Sequence, residues 1–136
     1  MKSRFVIFFF TLVVFLASCK KEPLFDPSKS NIPDQNNFDE LERATLKGVS
    51  LIYFYNSWDK NSADLLPKLE SVAQKPEFDS VYFAKVDFDK NQNIARYYVV
   101  RGFPVVILLK DGVEKIRYES SDHSQEKIEK GLKSLL

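Results

Sequence analysis

Three apolar segments, rich in β-branched and aromatic residues, constrain the fold of this chain more than any other feature. They cover residues 49–55, 81–87 and 105–109. Strands that are covered on both faces of a sheet have this nearly continuous apolar character. Stretches long enough for helices separate the segments, so crossover connections can place all of them in a single sheet. We therefore predict an α/β fold in which these segments are strands of one sheet.

Helical patterns surround the predicted strands, and a tight turn adds one more strand. The predicted helices cover residues 37–47, 59–75, 93–98 and 124–136, with Pro67 inside the second of them. Asp111-Gly112 is a strong hairpin signal that joins the third strand to an antiparallel fourth strand at 113–118. The predicted order is α-β-α-β-α-β-β-α, which gives a mixed central sheet with helices on both faces.

The chain begins with a targeting segment. Lys2 and Arg4 precede an apolar run at 5–17, which as a helix would span about 20 Å and so is too short to cross a bilayer. The run ends in the sequence LASC at 16–19, which resembles the lipobox of bacterial lipoproteins. In such proteins the cysteine receives diacylglycerol and a further acyl chain such as palmitate. We predict a signal peptide at 1–18 and a lipid anchor on Cys19, the alternative being an unmodified, buried cysteine after an ordinary signal peptide.

This interpretation places the mature protein on the exported side of the bacterial cell membrane or outer membrane, either in the periplasm or at the surface. The segment that follows the anchored cysteine, within 19–36, contains three prolines and has neither a helical nor a strand period. Such a composition is typical of a linker. We therefore predict that 19–36 is a flexible tether and that the folded domain occupies 37–136.

Composition and loop motifs exclude several classes of function. A single cysteine cannot form an internal disulfide, a dithiol redox couple or a cysteine-based zinc site. A formal net charge of +1 gives no basic excess for binding nucleic acid. The stretch that starts at Asp87 begins like a calcium loop, but its sixth and twelfth positions are Gln92 and Tyr98 instead of Gly and Glu. We expect no metal, no cofactor and no nucleic-acid partner.

Several local motifs occur in the order and spacing of a known family. They are IYFYNSW at 52–58, LPKL at 66–69, VDFD at 86–89, YYVVRGFP at 97–104 and KDG at 110–112. Over about 38–136 the chain resembles the thioredoxin family. The resemblance implies a thioredoxin-like fold and a cis peptide bond before Pro104.

The departures from the family pattern fall on its chemistry. Asp59 and Ser62 stand where the family has two cysteines, and Tyr53 stands where it has a buried acid. The resemblance therefore implies a member without dithiol exchange and without catalytic residues. Asp59 is expected to serve as a helix N-cap. Ser62 as a nucleophile would need a nearby base, and the single histidine, His123, is expected to be exposed near the last helix.

A binding surface could remain without sulfur. In the family, an extended peptide lies beside the tryptophan and the segment before the cis-proline, and the matching residues here are Trp58, Phe103 and Pro104. The alternative is that Trp58 only packs against the domain. The leading hypothesis is a non-enzymatic module, anchored to the membrane through Cys19, that binds an envelope protein or an extended peptide. The competing hypotheses are an oxidoreductase accessory whose partner supplies both thiols, and a purely structural lipoprotein.

Overall fold

The computed structural model describes residues 21–119 and 123–136. The predicted signal peptide and Cys19 lie outside the described residues. Within them, no helix combines the length and the hydrophobicity needed to cross a bilayer.

A mixed sheet of four strands forms the centre of the domain, as predicted. The strands are β1 (Val49–Tyr55), β2 (Tyr82–Asp87), β3 (Val105–Lys110) and β4 (Val113–Glu119). Their spatial order is β2-β1-β3-β4, with β1 parallel to β2 and antiparallel to β3, and β3 antiparallel to β4. The central position of β1 explains its continuous apolar sequence, because all of its residues are buried.

Helices cover both faces of this sheet. They are α1 (Phe38–Thr45), α2 (Lys60–Ala73), α3 (Gln92–Tyr97) and α4 (Gln125–Leu135), with short 3-10 helices at Pro27–Lys29 and Pro76–Phe78. The odd-numbered residues of β1 pack with α2 and α4, whereas its Ile52 and Phe54 pack with α1 and α3. This division follows from the alternation of side chains along a strand. The order of helices and strands is the predicted one.

Gly131 allows α4 to approach the sheet closely. A Cβ atom at this position would lie 2.2 Å from the Tyr118 hydroxyl and 2.9 Å from Leu108 Cδ1. Both distances are far below van der Waals contact, so any other residue at this position would require Tyr118 and Leu108 to move.

The segment before α1 corrects one prediction, because residues 24–36 are not a flexible tether. Ile32 is fully buried in the core beneath α2. The Lys85 N–H donates to Pro33 O at 2.9 Å, and the Gln35 N–H donates to Lys85 O at 2.8 Å, which adds a short parallel bridge beside β2. We call residues 21–36 the N-terminal strap.

Side chains also hold the N-terminal strap to the sheet. The buried Lys85 ammonium contacts Asp34 Oδ2 at 2.7 Å and donates to Ile32 O at 2.7 Å. The Tyr55 hydroxyl donates to the other Asp34 oxygen at 2.6 Å, and the Phe25 ring packs 5.8 Å from the Tyr55 ring. Each contact uses one residue of the strap at an irregular spacing. A search for helical or strand periods therefore finds no sign of this packing.

Candidate functional site

The first turn of α2 follows directly from the end of β1, and Asp59 caps it. The Asp59 carboxylate accepts the Ser62 backbone N–H at 2.8 Å, so the predicted N-cap is confirmed. The helix dipole and its free N–H groups thus stabilise the Asp59 side chain. This is the position at which the family places its first cysteine.

Ser62 belongs to a buried hydrogen-bond network. Its hydroxyl donates to Asp59 Oδ2 at 3.0 Å and accepts the Asn56 N–H at 3.2 Å. The Tyr53 hydroxyl donates to the Ser62 carbonyl at 2.6 Å. Ser62 and Tyr53 are both 0% exposed. The Ser62 hydroxyl therefore stabilises the turn and lies out of reach of a substrate.

The predicted exposure of His123 is wrong. The residue is only 9% exposed, and its Nε2 lies 3.2 Å from the Tyr118 carbonyl at the entrance to α4. A partner on the backbone explains this burial, because a polar ring is buried at little cost when it is hydrogen-bonded. The hydroxyl of Ser62 makes its own contacts to Asp59 and Asn56. Ser62 and His123 thus bond different partners and do not form a nucleophile–base pair.

Tyr53 is a neutral group where the family has an acid. Burial raises the pKa of its hydroxyl well above the usual value for tyrosine; the bond to Ser62 acts in the opposite direction, and the charge of Asp59 adds to the rise. At neutral pH this side chain is a hydrogen-bond donor and accepts no proton. The position therefore holds no general base.

The other side of the site is aromatic. The Trp58 and Phe103 rings meet edge to face, with centroids 5.2 Å apart and an interplanar angle of 88°. Phe88 packs on Phe103 with centroids 5.3 Å apart. Trp58 and Phe103 are each half-buried. The peptide bond between Phe103 and Pro104 is cis, as the resemblance predicted.

Trp58, Phe103 and Pro104 thus lie on one surface, which we call the aromatic groove. A cavity of about 220 Å³ opens beside Pro104, lined by residues 101–105 and Glu119. The structure places together the three residues that sequence reasoning proposed. Open space next to half-exposed rings is what an extended segment needs in order to dock.

Asp89 fixes the orientation of Trp58, and sequence reasoning did not assign it this role. Its Oδ2 accepts the Trp58 indole N–H at 3.4 Å and the Asn56 side-chain amide at 2.7 Å. The nearby Asp87 carboxylate accepts the N–H groups of Asp89 and Lys90. The loop carboxylates therefore bind protein donors. Among residues 21–119 and 123–136 no three His, Cys, Asp or Glu side chains are grouped as metal ligands would be.

Lys21 was also missed as a site residue. Its ammonium lies 3.5 Å from the centroid of the Trp58 ring, in a cation–π arrangement. The Leu24 N–H donates to the Ser57 carbonyl at 2.7 Å, next to the tryptophan. No local sequence signal could have found either contact, because both depend on the path of the N-terminal strap.

Comparison with known proteins identifies the class of fold and then the family. The sheet order, the cis-proline and the helix after Trp58 define a thioredoxin-like α/β domain. The sequence model of the thioredoxin family matches residues 30–134, and the chain belongs to that family.

Curated relatives agree with this assignment. A thioredoxin of Echinococcus granulosus is 37% identical over 78 residues, which are 56% of this chain and 70% of that protein. A thioredoxin domain-containing protein of Theileria parva is 28% identical over 70% of this chain, and protein disulfide-isomerase 1 of Caenorhabditis elegans is 34% identical over 57% of it. The chain spans only 44% and 16% of the length of those last two proteins.

Solved structures give the same fold. Mitochondrial thioredoxin 3 from Saccharomyces cerevisiae, in its oxidized form, has a TM-score of 0.68 at 27% identity and covers 76% of this chain and 95% of its own. A mutant thioredoxin from Halobacterium salinarum has a TM-score of 0.68 at 26% identity, covering 76% of this chain and 88% of its own.

Proposed function

We propose that this protein is a thioredoxin-family module without dithiol redox activity, anchored to a bacterial membrane, that binds an extended segment of another protein. The observation that carries the proposal is the pair Asp59 and Ser62. These two side chains are hydrogen-bonded to each other where the family has its two sulfurs.

The chemistry supports an inactive site. Thiol–disulfide exchange requires a thiolate that attacks one sulfur of a disulfide and a second thiol that releases the mixed disulfide. Oxygen atoms at 59 and 62 supply neither. The chain has a single cysteine, Cys19, which lies far before this helix in the sequence. In this proposal the thiol of Cys19 is already used as the lipid attachment.

The aromatic groove supports a binding function. Extended peptides bind by pairing with exposed backbone while their side chains occupy adjacent pockets. Here the partly exposed rings of Trp58 and Phe103 contact each other, and Phe103 and Pro104 line an open cavity. Asp89, which also accepts the Asn56 side-chain amide, holds the indole in one orientation, and this reduces the entropy lost when a ligand binds.

The first residues of the chain support the proposed location. The LASC sequence at 16–19 supports cleavage before Cys19 and acylation of that cysteine. Several acyl chains bind a protein to a bilayer stably, since each buried CH₂ contributes about 0.8 kcal/mol. The module would then act on the exported side of the cell membrane or the outer membrane.

Site-specific photocrosslinking tests the binding function. The full-length protein is produced in a bacterial host that processes lipoproteins, with a photoreactive residue at Gly102 beside the groove. A matched control carries the same residue at the exposed Glu77, in the 3-10 helix that follows α2. We expect a discrete crosslinked protein only at Gly102, and its loss in Trp58→Ala/Phe103→Ala. Equal crosslinking at both positions, or no effect of the double variant, would reject the groove as the binding surface.

A second candidate function is an oxidoreductase accessory that works on a partner's thiols. The relatives favour it, because those named above include thioredoxins and a protein disulfide-isomerase. Reduction of insulin by dithiothreitol distinguishes the two candidates. We expect the lipid-anchored protein to add nothing to the rate with dithiothreitol alone. A rate above that background would overturn the redox-inactive proposal.

A further inference from the structure

The N-terminal strap connects the anchor position to the aromatic groove. From these contacts we infer that the Trp58 end of the domain faces the bilayer surface, so that the groove takes only segments lying beside that surface. The inference rests on the proposed acylation of Cys19. It adds an orientation, and thereby a class of partner, to the proposed function.

The strap is fixed to the domain along most of its length. Near the C-terminal end of the strap, Asp34 and Ile32 bind the buried Lys85. Closer to its N-terminus, Phe25 packs on Tyr55. The Leu24 N–H bonds the Ser57 carbonyl at 2.7 Å. The path of the strap therefore runs across the edge of β2 and reaches the loop that carries Trp58.

The first residue of the strap contacts Trp58. The Lys21 ammonium lies 3.5 Å from the centre of the Trp58 ring. Cys19 precedes Lys21 by two residues in the sequence. A chain covers at most about 3.6 Å per residue, so a separation of two residues spans no more than about 7 Å. A lipid on Cys19 therefore holds the Trp58 end close to the headgroups.

The surface at this end carries an exposed apolar side chain and charges of both signs. Leu24 is 57% exposed and can contact the apolar boundary of the bilayer. Lys90 shares a cavity with Asp26 and Asp87, and Arg101 lines the cavity beside Pro104 together with Glu119. Because the charges of this surface are mixed, the orientation depends on the attachment at Cys19 and not on attraction to anionic headgroups. Extended segments next to such a surface are those that leave the same bilayer, so we assign the partner to juxtamembrane segments.

Fluorescence quenching tests the orientation, because Trp58 is the single tryptophan of the chain. The mature lipidated protein is reconstituted into phosphatidylcholine–phosphatidylglycerol vesicles that contain a lipid with a nitroxide on its headgroup. A control variant, Trp58→Phe/Glu77→Trp, moves the fluorophore beyond the far end of α2, a helix of 14 residues and about 20 Å. A second variant inserts ten Gly and Ser residues before Lys21, which adds about 17 Å of flexible chain.

We expect the nitroxide to quench most of the Trp58 fluorescence in the original protein. It should quench little of the fluorescence from position 77, and little of the Trp58 fluorescence in the variant with the inserted linker. Equal quenching at both positions, or strong quenching of Trp58 that survives the linker, would overturn the inference. Thermal unfolding of each variant confirms that it is folded. Mass spectrometry of the mature protein separates the two failures, because a Cys19 without acyl chains rejects the proposed anchor, whereas an acylated protein with unquenched Trp58 rejects the orientation alone.

Discussion

The two sides of the candidate site differ in burial and in whether their side chains are bonded within the protein. On the side of α2, the polar atoms of Asp59, Ser62 and Tyr53 bond one another and Ser62 is fully buried. On the other side, Trp58 and Phe103 are partly exposed, and Phe103 lines the cavity beside Pro104. Under the proposed function, the α2 side therefore contributes stability through internal hydrogen bonds, whereas the aromatic side provides the surface on which a ligand docks.

Physical chemistry explains why the two sides could diverge independently. Replacing sulfur by oxygen at a buried turn requires partners for every new polar atom, because an unpaired one costs about 1–3 kcal/mol. Asp59 and Ser62 supply partners to each other and to the turn. Aromatic rings have no such requirement and tolerate partial exposure. Changes on the α2 side should therefore alter chemistry and stability, and changes on the aromatic side should alter binding.

The largest expected effect is a gain of thiol–disulfide exchange activity on the α2 side. In Asp59→Cys/Ser62→Cys, both thiols stand at the start of α2, where the helix N-terminus lowers a thiol pKa. The two side chains already contact each other across the first turn of α2, with Asp59 Oδ2 3.0 Å from the Ser62 hydroxyl oxygen. We expect insulin reduction by dithiothreitol to change from background to a clearly measurable rate.

The single variant Asp59→Cys is the matched control for this gain. One thiol can form a mixed disulfide but cannot resolve it, so no turnover above background is expected. Activity of the single variant would show that a partner thiol is supplied from elsewhere. An inactive double variant that forms its disulfide normally would show that Tyr53, which stands where the family has an acid, also blocks the reaction.

A smaller effect concerns stability on the α2 side. Ser62→Ala leaves the buried Asn56 N–H without its acceptor and removes one donor to Asp59, so we expect a loss of about 1–3 kcal/mol of unfolding free energy. Ser71→Ala is the control on the same helix. Its hydroxyl is exposed and bonds only Pro67 O, and its removal should change the free energy by about 0.5 kcal/mol or less. Urea denaturation of both variants measures the difference, and equal losses would contradict a special role for the network.

Local signals in the sequence predicted much of this molecule. The apolar runs predicted the strands β1, β2 and β3, and Asp111-Gly112 predicted the hairpin, because each pattern determines the structure of its own neighbourhood. Asp59 was predicted as an N-cap for the same reason, since its partner lies three residues away. The residues of the aromatic groove were predicted from the order of the family motifs, and no hydrophobic periodicity indicated them.

Contacts between distant residues escaped prediction. Lys85 meets Asp34 across 51 residues of sequence, and Asp89 meets Trp58 across 31. His123 is buried because a carbonyl of β4 faces it. Each of these contacts depends on the assembled fold, so a proline-rich stretch looked like a tether and a lone histidine looked exposed.

Alkaline pH should distinguish the two sides further, because only the α2 side contains a titratable aromatic residue. Burial raises the pKa of Tyr53, so the folded state keeps its proton when the unfolded state, near pH 10, begins to lose it. The unfolded state then binds fewer protons, and stability falls with rising pH by up to about 1.4 kcal/mol per pH unit for this group. Tyr53→Phe should cost about 1 kcal/mol at neutral pH through its lost hydrogen bond, and should flatten that alkaline decline.

Denaturant titrations at several neutral and alkaline pH values measure how steeply the unfolding free energy falls with pH. Tyr55 and Tyr98, whose pKa values burial also raises, continue to contribute in the variant, so the decline should weaken without vanishing. Phe103→Leu keeps all six tyrosines and should retain the original slope. An unchanged slope in Tyr53→Phe would mean that its hydroxyl does not stay protonated in the folded state, contrary to the buried network.

The smallest effect on stability, on the aromatic side, is the sharpest test of the contrast. Phe103→Leu keeps an apolar side chain but removes the edge contacts to Trp58 and Phe88, so a loss of about 0.5–1.5 kcal/mol is expected together with reduced crosslinking from Gly102. Tyr97→Leu is the matched control, since that exposed ring makes similar edge contacts to Phe38 and Tyr98. It should lose similar stability and leave crosslinking intact. A larger loss of unfolding free energy in Phe103→Leu than in Ser62→Ala would mean that the aromatic side contributes as much to stability as the α2 side. Crosslinking that persists in Phe103→Leu would reject the binding role of the aromatic side.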